Sequence, residues 1–183
     1  MNNLNDYKGI NDIFEIDGGA DIRIIGSIYI DRESNISSYH APVYIRIHKN
    51  ARLEIEGKFT ILPSMDLVIY QDAVLKIGDG TYINSDSEIR CKKSITIGRN
   101  CAIGRRCNIM DSDFHELDGK ERIESIDIGN HVWIGNDVTI LKGVSIGNNC
   151  VIGAKSVVTH SISQGCVAAG NPAIIIRKCS DWR

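Results

Sequence analysis

From residue 97 to residue 158 the apolar positions return every sixth residue. Ile97, Ile103 and Ile109 set the step, and after a break it resumes as Ile128, Ile134, Ile140, Ile146, Ile152 and Val158. Glycine usually follows, at Gly98, Gly104, Gly129, Gly135, Gly147 and Gly153. Two positions ahead sits a smaller residue: Cys101, Cys107, Val132, Val138, Val144, Cys150 and Ser156. A period of six does not match the 3.6 of a helix. It is three strand alternations, so every sixth side chain of an extended chain points the same way.

One bend per hexad lets three hexads close a triangular coil. The aliphatic side chains then stack inside, and each strand pairs with its equivalent one coil away at roughly 4.8 Å. The bend needs a residue that tolerates unusual angles or close approach, which suits glycine. The pattern predicts an all-β fold, a parallel β-helix of hexapeptide repeats. Spacing alone leaves its handedness open.

The rest of the chain is read around that repeat. Residues 1–20 are polar, turning Gly-rich at Asp17-Gly18-Gly19, and read as a lead-in or short cap. Residues 21–76 carry β-branched alternation (Ile22-Arg23-Ile24, Ile28-Tyr29-Ile30, Tyr44 to Ile47, Leu53-Glu54-Ile55, Leu67-Val68-Ile69) and read as short strands of irregular first coils. Regular repeats run over 77–170, from Ile77, Ile83 and Ile89 onward. The step slips by two residues before Ile97, which predicts an inserted corner at Lys92-Lys93-Ser94. Residues 110–127 lack the pattern, are charged, and read as a loop ejected from the coil. Insertions in a solenoid gather at its binding face. The repeat ends after Val158; Val167 to Ala173 reads as a turn, and 171–183 as a cap whose Ile174-Ile175-Ile176-Arg177-Lys178 starts a strand or helix. Solenoid ends need such caps.

Composition narrows the function. A formal charge of −2 over 183 residues argues against nucleic acid or an anionic membrane as partner. No apolar run approaches the ~20 residues of a membrane span, and the polar N-terminus predicts no signal peptide. The six cysteines form no C-x-x-C pair; three occupy the small inward slot, so they read as buried thiols of a reducing, cytoplasmic compartment.

His115 is the first chemical candidate. It lies in the long loop between Asp113 and Glu116, and a histidine there suits proton removal from a hydroxyl near neutral pH; a solvated loop histidine is the bland alternative. His131 reads as a solvent-facing corner residue, and His40 and His48 as members of the irregular strands. No histidines stand at a zinc-ligand spacing, so no metal is expected. Trp133 alternates outward, as a subunit contact before a ligand platform.

The hexads, the His115 loop, Val132-Trp133-Ile134-Gly135-Asn136 and the ending Val167-Ala168-Ala169-Gly170-Asn171-Pro172-Ala173 together resemble the hexapeptide-repeat acyltransferases, over about residues 77–178. The nearest branch looks like the galactoside and maltose O-acetyltransferases and the O-acetyltransferases of polysaccharide clusters. The resemblance implies a left-handed β-helix, a homotrimer with sites in the clefts between subunits, and acetyl-CoA as co-substrate. His115 matches the family's catalytic base and Asn84 a residue lining the acceptor site. Asn136 and Ala154 match positions that hold the pantetheine arm, largely through backbone groups. Thr159 and His160 match a Thr-Lys pair near the nucleotide, with the lysine's fixed charge lost. Arg177, with Lys178 assisting, matches a basic residue at the coenzyme phosphates; a second family arginine is Ile174 here. The helical N-terminal segment of the galactoside enzymes has no counterpart in residues 1–76. The implied activity is O-acetyl transfer to a sugar or polysaccharide precursor. The alternatives are N-acetylation of an amino-sugar nucleotide, acetylation of serine, and a noncatalytic trimeric scaffold.

Overall fold

The computed structural model describes residues 12–31, 42–179 and 181–183. The described residues hold strands and turns and no helix. Almost every strand pairs in parallel with the strand one coil away. Three columns result. The first face stacks Ile13–Ile16, Tyr44–Ile47, Asp66–Ile69, Glu88–Cys91, Asn108–Met110, Thr139–Ile140 and Val157–Val158. The second stacks Val74–Ile77, Ser94–Ile97, Ile126–Ile128 and Ser145–Ile146. The third stacks Thr81–Ile83, Ala102–Ile103, Trp133–Ile134, Val151–Ile152 and Cys166–Gly170.

The hexad residues do form the core. Ile103, Ile134, Ile140, Ile152 and Val158 are fully buried, and the small residues two positions ahead, Val132, Val138 and Cys150, are buried with them. Coil length explains where the pattern was clear. Thr139 pairs with Val157, an advance of 18 residues, or three hexads. Asp66 pairs with Glu88, an advance of 22, so the early coils cannot show a six-residue period. Their short strands also merge. Asp21–Ile30 and Arg52–Ile61 are ten-residue strands that run through the bend between the second and third faces. Gly26 and Gly57 meet at that bend, where a Cβ on Gly26 would lie 2.0 Å from the Gly57 carbonyl oxygen.

At the regular corners, close approach decides the glycine. A Cβ on Gly104 would lie 2.6 Å from Asn136 Oδ1. The left-handed residue comes two positions later, at Arg106 (φ 53°), His131 (φ 55°) and Asp137 (φ 59°). The two-residue insertion is the corner Lys92-Lys93, between strands Glu88–Cys91 and Ser94–Ile97.

One expectation is corrected. Val167 to Gly170 is not a turn. Strand Cys166–Gly170 continues the third face because Val167 and Ala168 pair with Val151 and Ile152. The chain turns at Asn171-Pro172 and returns antiparallel as Ala173–Lys178. The six-residue step stops at Val158, while parallel stacking runs on, since Ile162, four residues later, bridges to Ile146. Met1 to Asn11, and with them most of the lead-in, lie outside the described residues, as does His40.

Candidate active site

The loop read over 110–127 is an antiparallel hairpin, Ser112–Leu117 against Lys120–Ile123. It leaves the edge between the first and second faces. Its coil advances 31 residues, from Asn108 to Thr139, where the next advances 18.

Asp111 pins its base. This carboxylate is fully buried, and its two oxygens accept the main-chain N–H groups of Lys92 (2.6 Å), Lys93 (2.7 Å) and Ser94 (2.8 Å). Three donors converging on one carboxylate are a backbone anion nest. The inserted corner of one coil therefore anchors the hairpin of the next. Glu124 N–H donates to the Asp111 carbonyl and closes the neck.

A second brace lies further out. The Glu121 carboxylate accepts from Lys92 Nζ at 2.5 Å and from Ser112 Oγ at 2.6 Å. Ser112 Oγ also accepts the Phe114 N–H, at 2.9 Å. Phe114 has φ 57° and packs on the Tyr70 ring at 5.3 Å, with Lys92 Nζ 5.6 Å from its own ring. The Lys92 ammonium, then the Ser112 hydroxyl, hold Glu121 below the usual carboxylate range; the nearby His115 adds to the same effect. Lys142 Nζ meets Asp113 Oδ1 at 2.6 Å. His115 follows this braced turn, exposed, with no hydrogen bond from its ring to any described residue.

The other predicted residues fall into two groups. Thr159 and His160 share the hairpin's edge, with Thr159 Oγ1 and His160 Nδ1 2.8 Å apart. Asn84, Asn136 and Ala154 line the edge between the third and first faces. The first face lies between the groups, so one chain does not place His115 beside Asn84. Arg177 and Lys178 end the returning strand on the third face; Lys178 Nζ donates to Cys166 Sγ at 3.5 Å.

The corner asparagines form ladders. Asn130 Oδ1 accepts the Arg99 N–H, and Asn148 Oδ1 the Asn130 N–H. On the next edge Asn136 Oδ1 accepts the Arg105 N–H at 2.9 Å. There the ladder stops. The residue above Asn136 is Ala154, which has no side-chain acceptor, and the Asn136 N–H meets none among the described residues. A donor beside a small exposed residue fits the amide and carbonyl groups of a pantetheine arm.

Asn84 borders a cavity of about 540 Å³ on the third face, with Asp31, Lys58, Thr60, Leu62 and Tyr82. Trp133 is 46% exposed and meets Trp182 of the C-terminal tail at 6.1 Å. His131 is not simply solvent-facing: Trp182 stacks on it at 4.4 Å and donates Nε1–H to its carbonyl. No described group of three His, Cys, Asp or Glu could hold a metal. Reading the sequence alone passed over Asp111, Lys92 and Glu121. The signal was there, since a two-residue insertion and an ejected loop stand one coil apart.

Residues 125–160 match the family model of the bacterial transferase hexapeptide (six repeats). A polysialic acid O-acetyltransferase of Escherichia coli O1:K1 is 38% identical over 146 residues, covering 76% of this chain but only 44% of that protein. The chain therefore spans less than half of that relative. The putative lipopolysaccharide biosynthesis O-acetyltransferase of Escherichia coli K12 is 30% identical over 86% of this chain and 87% of its own length. Among solved structures, a polysialic acid O-acetyltransferase superposes with TM-score 0.68 at 30% identity, over 96% of this chain and 89% of that one. A Vibrio cholerae hexapeptide-repeat acetyltransferase complexed with acetyl-CoA does so with TM-score 0.55 at 34% identity, over 58% and 61%. With its stacked hexads, ejected histidine hairpin and a relative matched along nearly its whole length, this chain belongs to the hexapeptide-repeat acetyltransferase family.

Proposed function

We propose that this protein transfers the acetyl group of acetyl-CoA to a hydroxyl of a sugar or polysaccharide precursor, with His115 as general base. The observation that carries this is His115 itself: an exposed, unbonded imidazole on a hairpin braced by Asp111 and Glu121. Relatives named for O-acetylation of sugars support the substrate class.

The neutral imidazole takes the proton of the acceptor hydroxyl as its oxygen attacks the thioester carbonyl. A main-chain N–H at a coil corner donates to the oxyanion. The carbon–sulfur bond then breaks, and the imidazolium returns the proton to the departing thiolate. Thr159, His160, Arg177 and Lys178 hold the coenzyme's distal part. His115 and Asn84 occupy opposite edges of the first face, so a complete site takes its base from one chain and its acceptor residues from another. A homotrimer of left-handed prisms meets that need. Six unpaired cysteines go with a cytoplasmic location.

Loss of thioester absorbance from acetyl-CoA, measured with a panel of sugars, sugar nucleotides and oligosaccharides, tests the reading. Turnover with one acceptor should fall by roughly 10²–10⁴ in His115→Ala. Equal turnover in the variant would remove His115 as the base. Neither turnover nor coenzyme A binding would favour the noncatalytic scaffold.

A further inference from the structure

The third face carries an outward row that the reaction at His115 does not use. Cross-strand pairing places Tyr29 beside Thr60, Thr60 beside Tyr82, Tyr82 beside Ala102 and Ala102 beside Trp133. Tyr29, Tyr82 and Trp133 are 46%, 41% and 46% exposed, whereas Ala102 between the last two is 3% exposed. At roughly 4.8 Å per coil, Tyr29 stands about 10 Å from Tyr82 along the face. The cavity bordered by Asn84 opens on this stretch of the face, with Asp31, Lys58, Thr60 and Tyr82 in its wall. The Lys58 ammonium lies 5.5 Å from the Tyr29 ring, and no described carboxylate pairs with it. The ten-residue strands Asp21–Ile30 and Arg52–Ile61 build this floor, in the early coils that break the hexad pattern.

We propose that this row is an extended acceptor site, holding further sugar units of an oligosaccharide chain whose reacting unit lies beside Asn84. The inference rests on the acetyl-transfer reading and names the acceptor as a chain. Aromatic rings spaced along a flat face offer apolar platforms to the C–H faces of sugar rings, while Lys58 and Thr60 offer donors to hydroxyl or carboxylate oxygens. A single sugar beside Asn84 cannot reach Tyr29 two coils away. The charged and polar lining beside Asn84 (Asp31, Lys58 and Thr60) favours a glycan over a second copy of the chain, since the core of a subunit contact is depleted of charge.

The test uses two acceptor series, sialic acid with its dimer and hexamer, and glucose with maltose and maltohexaose. Binding is read by saturation-transfer NMR and transfer by kcat/KM, for wild type, Tyr29→Ala and Lys58→Ala. In one series the hexamer should surpass the single sugar by about tenfold or more, and each variant should bring that advantage to within about twofold. An advantage that survives both variants overturns the proposal. So does equal use of short and long acceptors, or no binding of any member. Loss of the native oligomer in the variants, seen by light scattering, would make the face a subunit contact and overturn it too. Failure of the acetyl-transfer reading looks different, since chains would bind with a length dependence sensitive to Tyr29 and Lys58 yet receive no acetyl group.

Discussion

The Asp111 carboxylate accepts the main-chain N–H of Lys92 at 2.6 Å, across the step from one coil to the next. Lys92 belongs to the inserted corner, and Asp111 is where the hairpin leaves the prism. Its second oxygen takes two further N–H groups. Replacing Asp111 with alanine strands three donors in a buried corner, at about 1–3 kcal/mol for each lost partner. Asp111→Ala should therefore lower urea stability by about 3 kcal/mol or more, and kcat should fall with it as His115 loses its fixed position. Asp111→Asn should recover only part of the stability, because the amide turns an N–H toward an N–H.

Ala154 interrupts the asparagine ladder above Asn136. Ala154→Asn supplies the missing acceptor and should raise stability by about 0.5–1.5 kcal/mol, the net contribution of one hydrogen bond. The same change occupies the bare N–H, so KM for acetyl-CoA should rise about tenfold or more. Thermal melts and initial rates on one preparation check both. A more stable variant with unchanged KM would show that the pantetheine arm does not use this corner.

Five of the six cysteines are buried, and Cys179 alone is partly exposed. A native chain should react with one equivalent of a thiol reagent and with six after unfolding. Burial pushes the Cys107 thiol up to about 11, and pushes Cys91 higher still with the Asp111 charge adding to it. Below the ordinary thiol value of about 8.5 the folded and unfolded chains hold the same thiol protons. Above it the unfolded chain loses protons that the folded chain keeps, so stability falls as pH rises from about 8.5 toward 11. Melting temperatures across that window should decline, and Cys107→Ala should decline less.

Trp182 stacks on His131 and donates to its carbonyl, tying the tail to a corner. Trp182→Ala should destabilise by about 1–2 kcal/mol through a lost hydrogen bond and ring contact. Of the two tryptophans only Trp133 then remains, and its emission should shift to the red as its neighbour leaves.

The sequence determined the prism wherever a coil holds three hexads. Ile134, Ile140, Ile146 and Ile152 each sit one strand further along, and a six-residue step in extended chain admits only a repeated inward side chain. It also marked His115 through the break in that step. The coils before residue 77 kept their period hidden, because an advance of 22 residues and strands that cross a bend follow from pairing between distant segments. Tertiary structure alone decided what holds and surrounds the site. Asp111 reads as one acid among several in a charged loop until the N–H groups of the preceding coil converge on it. Asn84 and His115 stand 31 positions apart in the chain, yet only the folding of coils into faces puts them on opposite edges. Hydrogen-bond partners across coils are set by stacking, and stacking joins residues that local periodicity never compares.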